Sequence, residues 1–132
     1  MYVTYEDTKF LFYTSFLFLI SSFLILLYDS FTTSIMIFLL FLSSISHWKR
    51  PDNQVIKILD MIIVKLVGVL YFINSLYKDE FYRVFSTNIA ISVLIFYIIE
   101  HILDFYRNNQ WIIFHMTIHI YAAYLFVLFL FV

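Results

Sequence analysis

Five long apolar stretches dominate this chain of 132 residues and constrain its fold more than any other feature. A helix that spans a bilayer needs roughly 20 mostly apolar residues. The stretches that meet this requirement are Phe10–Tyr28, Phe31–Trp48, Val55–Tyr77, Val84–Leu103 and Trp111–Val132. Their apolar character is continuous and does not alternate, which favours helices over the strands of a membrane barrel, and a helix satisfies its own backbone hydrogen bonds in lipid. The sequence therefore predicts an all-α integral membrane bundle of about five transmembrane helices.

The composition indicates that lipid surrounds most of this single transmembrane domain, residues 1–132. The chain is 64% hydrophobic and 13% charged, whereas soluble domains carry about 25% charged residues. A soluble protein of this size could not bury so much apolar surface. The net charge of −1 argues against a nucleic-acid partner, because such a partner selects a basic surface. The absence of cysteine excludes disulfides, thiolate zinc ligands and cysteine nucleophiles.

Short connections join the predicted spans, so successive helices are expected to run antiparallel, up and down through the bundle. Asp29-Ser30 forms the first turn, and Pro51 interrupts the helix in the second connection. The N-terminus lacks the basic segment of a signal peptide, which predicts that the first span is retained. Basic residues near span ends are more frequent on the cytoplasmic side. Here they favour a cytoplasmic N-terminus: Lys9, Lys49, Arg50, Lys57 and Arg107 lie on that side, against Lys78 and Arg83 on the other.

All four histidines lie near the same predicted face of the bundle. His47 ends the second span, His101 lies near the end of the fourth, and His115 and His119 lie in the first turns of the fifth. With a rise of 1.5 Å per residue, these histidines and Asp60 of the third span fall within roughly 15 Å of that face. Ionisable groups are expensive inside a bilayer, so a cluster of them at one depth indicates a functional site.

The spacing of the histidines favours a zinc site. His115 and His119 are four residues apart and project from one helix face, and His47 can supply a third ligand from a neighbouring helix. Three protein ligands and a water are typical of catalytic zinc, which lowers the pKa of that water to about 7. Ser43 lies one turn before His47 and faces the same way, and Asp60 can accept a hydrogen bond from the water or orient a histidine.

These residues occur in the pattern of a known family. The segment Ser43-Ser44-Ile45-Ser46-His47 matches a Ser-x-x-x-His element, Asp60 follows a leucine in the next helix, and His115-Met116-Thr117-Ile118-His119 matches a His-x-x-x-His element in the final helix. The chain thereby resembles the CREST superfamily of membrane hydrolases, which includes alkaline ceramidases, adiponectin/progestin-receptor-like proteins and haemolysin-III-like proteins. The resemblance covers three of the five spans, and members of the family have seven.

The resemblance implies a chemistry and a set of roles. His47, His115 and His119 would ligate zinc, and Ser43 and Asp60 would lie around the metal-bound water. A lipid amide such as ceramide is the implied substrate. The leading hypothesis is therefore a zinc-dependent intramembrane hydrolase of a lipid amide or ester, in which Asp60 shuttles the proton.

Two other classes of function stay open. The first is a non-catalytic multi-pass protein, receptor-like or a scaffold, that keeps a structural metal site, and the five spans in place of seven favour it. The second is a haem-binding electron carrier, since histidines on facing helices can ligate haem iron, although a pair of histidines on one helix suits haem less well. The sequence leaves the oligomeric state open and is compatible with a homo-oligomer.

The same polar residues also have purely structural interpretations. His115 and His119 would then reach the lipid headgroups, His47 would join Trp48 in an interfacial belt, and Ser43 would serve helix packing. Asp60 would form an ion pair with a nearby lysine, Lys57 or Lys49.

Two further polar features lie outside the resemblance. The segment Glu100-His101-x-x-Asp104 is a carboxylate–histidine pair, a support for the site or an interfacial cap. Lys65 lies near the middle of the third span, where a lysine is costly unless it is paired. A ligand headgroup or another chain would supply its partner.

Overall fold

The computed structural model describes residues 4–28, 31–106 and 108–128, without the side chains of Ser75 and Leu128, and all regular structure in these ranges is α-helical. The prediction of an all-α fold is confirmed. The predicted turn at Asp29-Ser30, the predicted interfacial Arg107 and the last four residues of the fifth predicted span, 129–132, lie outside the described residues. The helices are α1 (Tyr5–Thr14), α2 (Phe16–Tyr28), α3 (Phe31–Lys49), α4 (Gln54–Ser75), α5 (Glu80–Phe105) and α6 (Trp111–Leu128).

Helices α1 and α2 follow each other almost without interruption, with only Ser15 between them. Together they correspond to the first predicted span, but α1 begins at Tyr5, several residues before the apolar stretch begins at Phe10. A capping interaction explains the earlier start, because the Asp7 carboxylate accepts hydrogen bonds from the Thr4 backbone N–H at 3.0 Å and the Thr4 hydroxyl at 2.7 Å. Such a cap satisfies N–H groups that the first turn of a helix leaves unpaired.

The other helices begin and end close to the predicted bounds. Helix α4 begins after Pro51, where the Asn53 side-chain oxygen accepts hydrogen bonds from the N–H groups of Val55 and Ile56 at 3.1 and 3.2 Å. Helix α5 begins at Glu80, earlier than the predicted Val84, because a helix can extend beyond its apolar stretch by one turn that includes polar residues. The apolar pattern therefore located the elements, and local hydrogen bonds set their ends.

Polar contacts fix the direction of α3 against α1 and α2. The Thr8 hydroxyl donates to the Trp48 carbonyl at 3.1 Å. At the opposite end of α3, the Ser34 hydroxyl donates to the Ser22 carbonyl at 2.8 Å, and the Ser22 hydroxyl donates to the Ser34 carbonyl at 3.0 Å. An early residue of α1 thus meets the end of α3, and α2 meets its beginning, so α3 runs antiparallel to both. Small hydroxyl residues of this kind are common where membrane helices pack closely.

The apolar core lies between α2, α3, α4 and α6, whereas α5 packs chiefly against α6. A smaller apolar cluster joins Leu11, Trp48 and Trp111 at the end of the bundle where α3 ends and α6 begins. Many apolar side chains of α4 and α5 are exposed in the isolated chain. The main core consists of Phe18, Ile25, Ile37, Leu40, Phe41, Val67, Tyr71, Ala123 and Phe126.

Within the described residues, three helical stretches are long and apolar enough to cross a membrane. They are Tyr5–Tyr28, Phe31–Lys49 and Glu80–Phe105, with 24, 19 and 26 residues, and Trp111–Val127 is a shorter apolar helix. Large exposed apolar surfaces mark interaction with lipid or with another protein. The fold is therefore consistent with a membrane protein.

Candidate functional site

Asp60 is the centre of a buried hydrogen-bonded cluster between α3 and α4. Its Oδ1 accepts hydrogen bonds from the Ser43 hydroxyl at 2.7 Å and the Ser44 hydroxyl at 3.2 Å, and its Oδ2 lies 3.0 Å from His47 Nδ1. Ser43 and His47 are one helical turn apart, so both can face the same point on α4. Only 5% of Asp60 and 6% of His47 is exposed. The structure thus brings three of the predicted site residues into direct contact.

His115 is held by an acidic residue of α5. Its Nδ1 lies 2.7 Å from Glu100 Oε1. The contact joins the last turns of α5 to the first turns of α6, across the connection that reverses the chain. Within the segment Glu100-His101-x-x-Asp104, the acid that meets a histidine is Glu100, and its partner is His115 of the next helix. His101 itself is exposed and lies against the Tyr97 ring.

His119 is held by α1. Its Nδ1 lies 2.9 Å from the Thr14 hydroxyl, which also donates to the Leu11 carbonyl at 3.1 Å. A hydroxyl has only one hydrogen to donate. When the Thr14 hydroxyl donates it to the Leu11 carbonyl, its oxygen accepts a hydrogen bond from His119 Nδ1–H. The Ser15 hydroxyl bonds back to Leu11 at 2.8 Å as well. Such bonds bend helices, and they coincide with the junction of α1 and α2 beside His119.

Trp48 lies among all three predicted metal ligands. Its indole stacks on the His47 ring with 4.1 Å between the ring centroids. The His115 and His119 rings meet the same indole edge-on, at 4.8 and 6.5 Å. His115 and His119 also contact each other, with 4.8 Å between their centroids. His47, which belongs to the Ser43–Asp60–His47 cluster, and the two histidines of α6 therefore pack around one indole.

The three histidines share one pattern of hydrogen bonding. In each ring the bonded nitrogen is Nδ1, and its partner is an oxygen atom of Asp60, Glu100 or Thr14. A carboxylate accepts hydrogen bonds, so Nδ1 is the donor on two of the rings, and in a neutral ring Nε2 is then the nitrogen with the free lone pair. Histidines that ligate metals usually have this arrangement, in which an outer oxygen fixes the tautomer and the orientation of the ring.

The rings nevertheless do not converge on a single point in this structure. Among residues 4–28, 31–106 and 108–128, no three His, Asp or Glu side chains are placed to hold a metal ion together. The position of Trp48 accounts for this, because the three rings pack around its indole.

Two buried polar atoms beside His115 have no hydrogen-bond partner. They are the Nε1–H donor of Trp48 and the Oε2 acceptor of Glu100. Unpaired buried polar atoms are costly, so the cluster is incompletely hydrogen-bonded at these two atoms.

The sequence predicted Ser43, His47, Asp60, His115 and His119 as site residues, and it did not predict their contacts with Glu100, Thr14 and Trp48. Glu100 stands out in the sequence as an acid inside an apolar run, but the sequence suggested the adjacent His101 as its partner, whereas its partner in the structure is His115. Thr14 carried no signal, since a threonine in a membrane helix is ordinary. Lys65 has no polar contact with the part of the chain that the structure describes, and its side chain is exposed.

Comparison with known proteins adds no relative, because no family model, curated protein or solved structure matches this chain.

Proposed function

We propose that this protein is a zinc-dependent hydrolase of a lipid amide or ester, embedded in a membrane through five spans, the first formed by α1 and α2, with the N-terminus in the cytoplasm. The observation that carries the proposal is the buried cluster in which Asp60 binds both Ser43 and His47, next to His115 and His119. The resemblance to the CREST hydrolases requires this set of residues: a buried carboxylate, a serine and three histidines.

The donor chemistry fits a zinc ion. His47, His115 and His119 would hold it through Nε2, because Nδ1 of each ring is already bonded to an oxygen. The rings have to close around the ion, so binding requires the Trp48 indole to shift. When bound, zinc acidifies a water molecule and polarises a carbonyl oxygen.

Asp60 is suited to move a proton in this reaction. An ionised carboxylate offers about four lone-pair positions, and the bonds from Ser43, Ser44 and His47 use three of them. The remaining position can accept the proton of an attacking water and return it to the leaving group. Ser43 can release its bond to Asp60 at little cost, because its hydroxyl also lies 3.0 Å from the Leu40 carbonyl.

The depth of the site fits a lipid substrate. His47 lies in the last turn of α3, and His115 lies one turn after the beginning of α6. Both positions correspond to the boundary between headgroups and acyl chains when these helices cross a bilayer. The ester and amide linkages of membrane lipids lie at this boundary, so a lipid carbonyl can approach the cluster without leaving the bilayer.

Zinc content and lipid hydrolysis, measured on the full chain in lipid nanodiscs, test the proposal. Wild-type protein is expected to hold about one zinc ion per chain and to hydrolyse a ceramide or a fluorescent lipid ester. His47→Ala should lose the zinc, whereas Asp60→Asn should keep it and lose hydrolysis by about 100-fold or more, as expected for an acid–base group. His101→Ala, which removes an exposed histidine, should match wild type. A folded wild-type protein that binds no zinc would refute the proposal.

A second candidate is a non-catalytic membrane protein in which the same residues hold a structural ion. The packing of the Trp48 indole against all three histidines favours it, because an ion alone needs less room beside the indole than an ion together with a lipid carbonyl. This candidate predicts zinc that raises the unfolding temperature, together with no hydrolysis of any lipid amide or ester offered.

A further inference from the structure

Glu100 is a buried acid of α5 that the proposed reaction does not use. Only 7% of the residue is exposed. One carboxylate oxygen bonds His115 Nδ1 at 2.7 Å, and the other has no partner. A buried carboxylate is costly unless it is paired and hydrogen-bonded, so its presence in an otherwise apolar helix calls for a reason.

We propose that Glu100 is a positioning residue, which holds His115 in the tautomer that carries the proton on Nδ1 and leaves the Nε2 lone pair open. Neutral imidazole otherwise exchanges between two tautomers, and the partner of one nitrogen decides which of them persists. The Glu100 carboxylate only accepts hydrogen bonds, so it selects the Nδ1–H form. The contact also fixes the rotation of the ring, since it ties α6 to α5.

For metal binding, this inference rests on the proposed function; for the tautomer of His115, it does not. If zinc occupies the site, the Glu100–His115 pair is the counterpart of the Asp60–His47 pair. Outer carboxylates of this kind change metal affinity by about 10- to 100-fold when they are removed. Glu100 would then control the affinity of the site without touching the metal.

Nitrogen NMR of the metal-free protein, labelled only at histidine, tests the tautomer. The chain has four histidines, and the His115 signals are identified by their loss in His115→Gln. In wild type, His115 is expected to carry its proton on Nδ1. Glu100→Ala should shift it toward the Nε2–H form, whereas Glu100→Gln, which keeps an acceptor oxygen, should largely preserve it. Asp104→Asn removes an exposed acid one turn along α5 and should leave the His115 signals unchanged.

The second readout is zinc affinity, measured in the same variants by competition with a chelating dye. Glu100→Ala should weaken zinc binding by about 10- to 100-fold, Glu100→Gln by less, and Asp104→Asn not at all.

A wild-type His115 with its proton on Nε2, or on both nitrogens, would overturn the inference. So would a Glu100→Ala protein with an unchanged His115 signal. If the tautomer depends on Glu100 but wild type binds no zinc, this inference stands and the proposed metal function fails. Should Glu100→Ala not fold, the wild-type spectrum still decides, because a His115 proton on Nε2 or on both nitrogens overturns the inference.

Discussion

Replacing Asp60 with alanine is expected to destabilise the protein by about 2–3 kcal/mol, and the structure shows how this figure arises. Side-chain hydrogen bonds between membrane helices contribute about 0.6 kcal/mol on average and about 1.7 kcal/mol at most. Asp60 accepts three of them, but the Ser43 hydroxyl can turn to the Leu40 carbonyl when the carboxylate is lost. The loss of stability therefore comes from the bonds of Ser44 and His47, which have no other acceptor in the described part of the chain. Both bonds are buried, and each is expected near the upper end of that range because its acceptor is a carboxylate.

Asp60→Asn separates this structural role from the chemical one. The amide oxygen can accept the hydrogen bond from His47 Nδ1–H, and the amide nitrogen can donate to the Ser43 hydroxyl, whose own hydrogen turns to the Leu40 carbonyl. The expected loss of stability is therefore below about 1 kcal/mol, while proton transfer is abolished. The free energy of unfolding is measured by titrating SDS into mixed micelles of the purified protein. Asp104→Ala serves as the control, since an exposed side chain is expected to change stability by no more than about 0.5 kcal/mol. An Asp60→Ala protein as stable as this control would refute the reasoning.

Two further predictions concern the packing of the bundle. Ser34→Ala should destabilise the protein by about 1 kcal/mol, because it removes the hydroxyl that donates to the Ser22 carbonyl between α2 and α3. An unchanged SDS midpoint of unfolding would contradict the role given to this contact. Ile37→Ala should destabilise the protein by about 2–4 kcal/mol, because Ile37 is completely buried in the core. Its matched control is Ile35→Ala, at an exposed position of the same helix, and equal losses of stability in the two variants would mean that the core is placed wrongly.

Much of the site was accessible from the sequence because depth in a helical bundle follows from position along each helix. His47 near the end of one apolar run and His115 near the beginning of another must share a layer when short connections reverse the chain. The spacing of Ser43 and His47 puts both on one face of α3 for the same reason. Residue types and helical periodicity thus predicted which polar groups lie near one another.

The sequence by itself determined that the chain is helical and where its helices lie, because continuous apolar runs interrupted at Pro51 admit few other solutions. Only the tertiary structure decided which partner each histidine has: Asp60 for His47, Glu100 for His115 and Thr14 for His119. These pairings depend on how each helix is rotated about its axis and on which helices become neighbours. Both are set by the packing of many apolar side chains at once, and no short motif encodes them. The position of Trp48 among the histidines has the same origin, and it is the feature that metal binding would have to change.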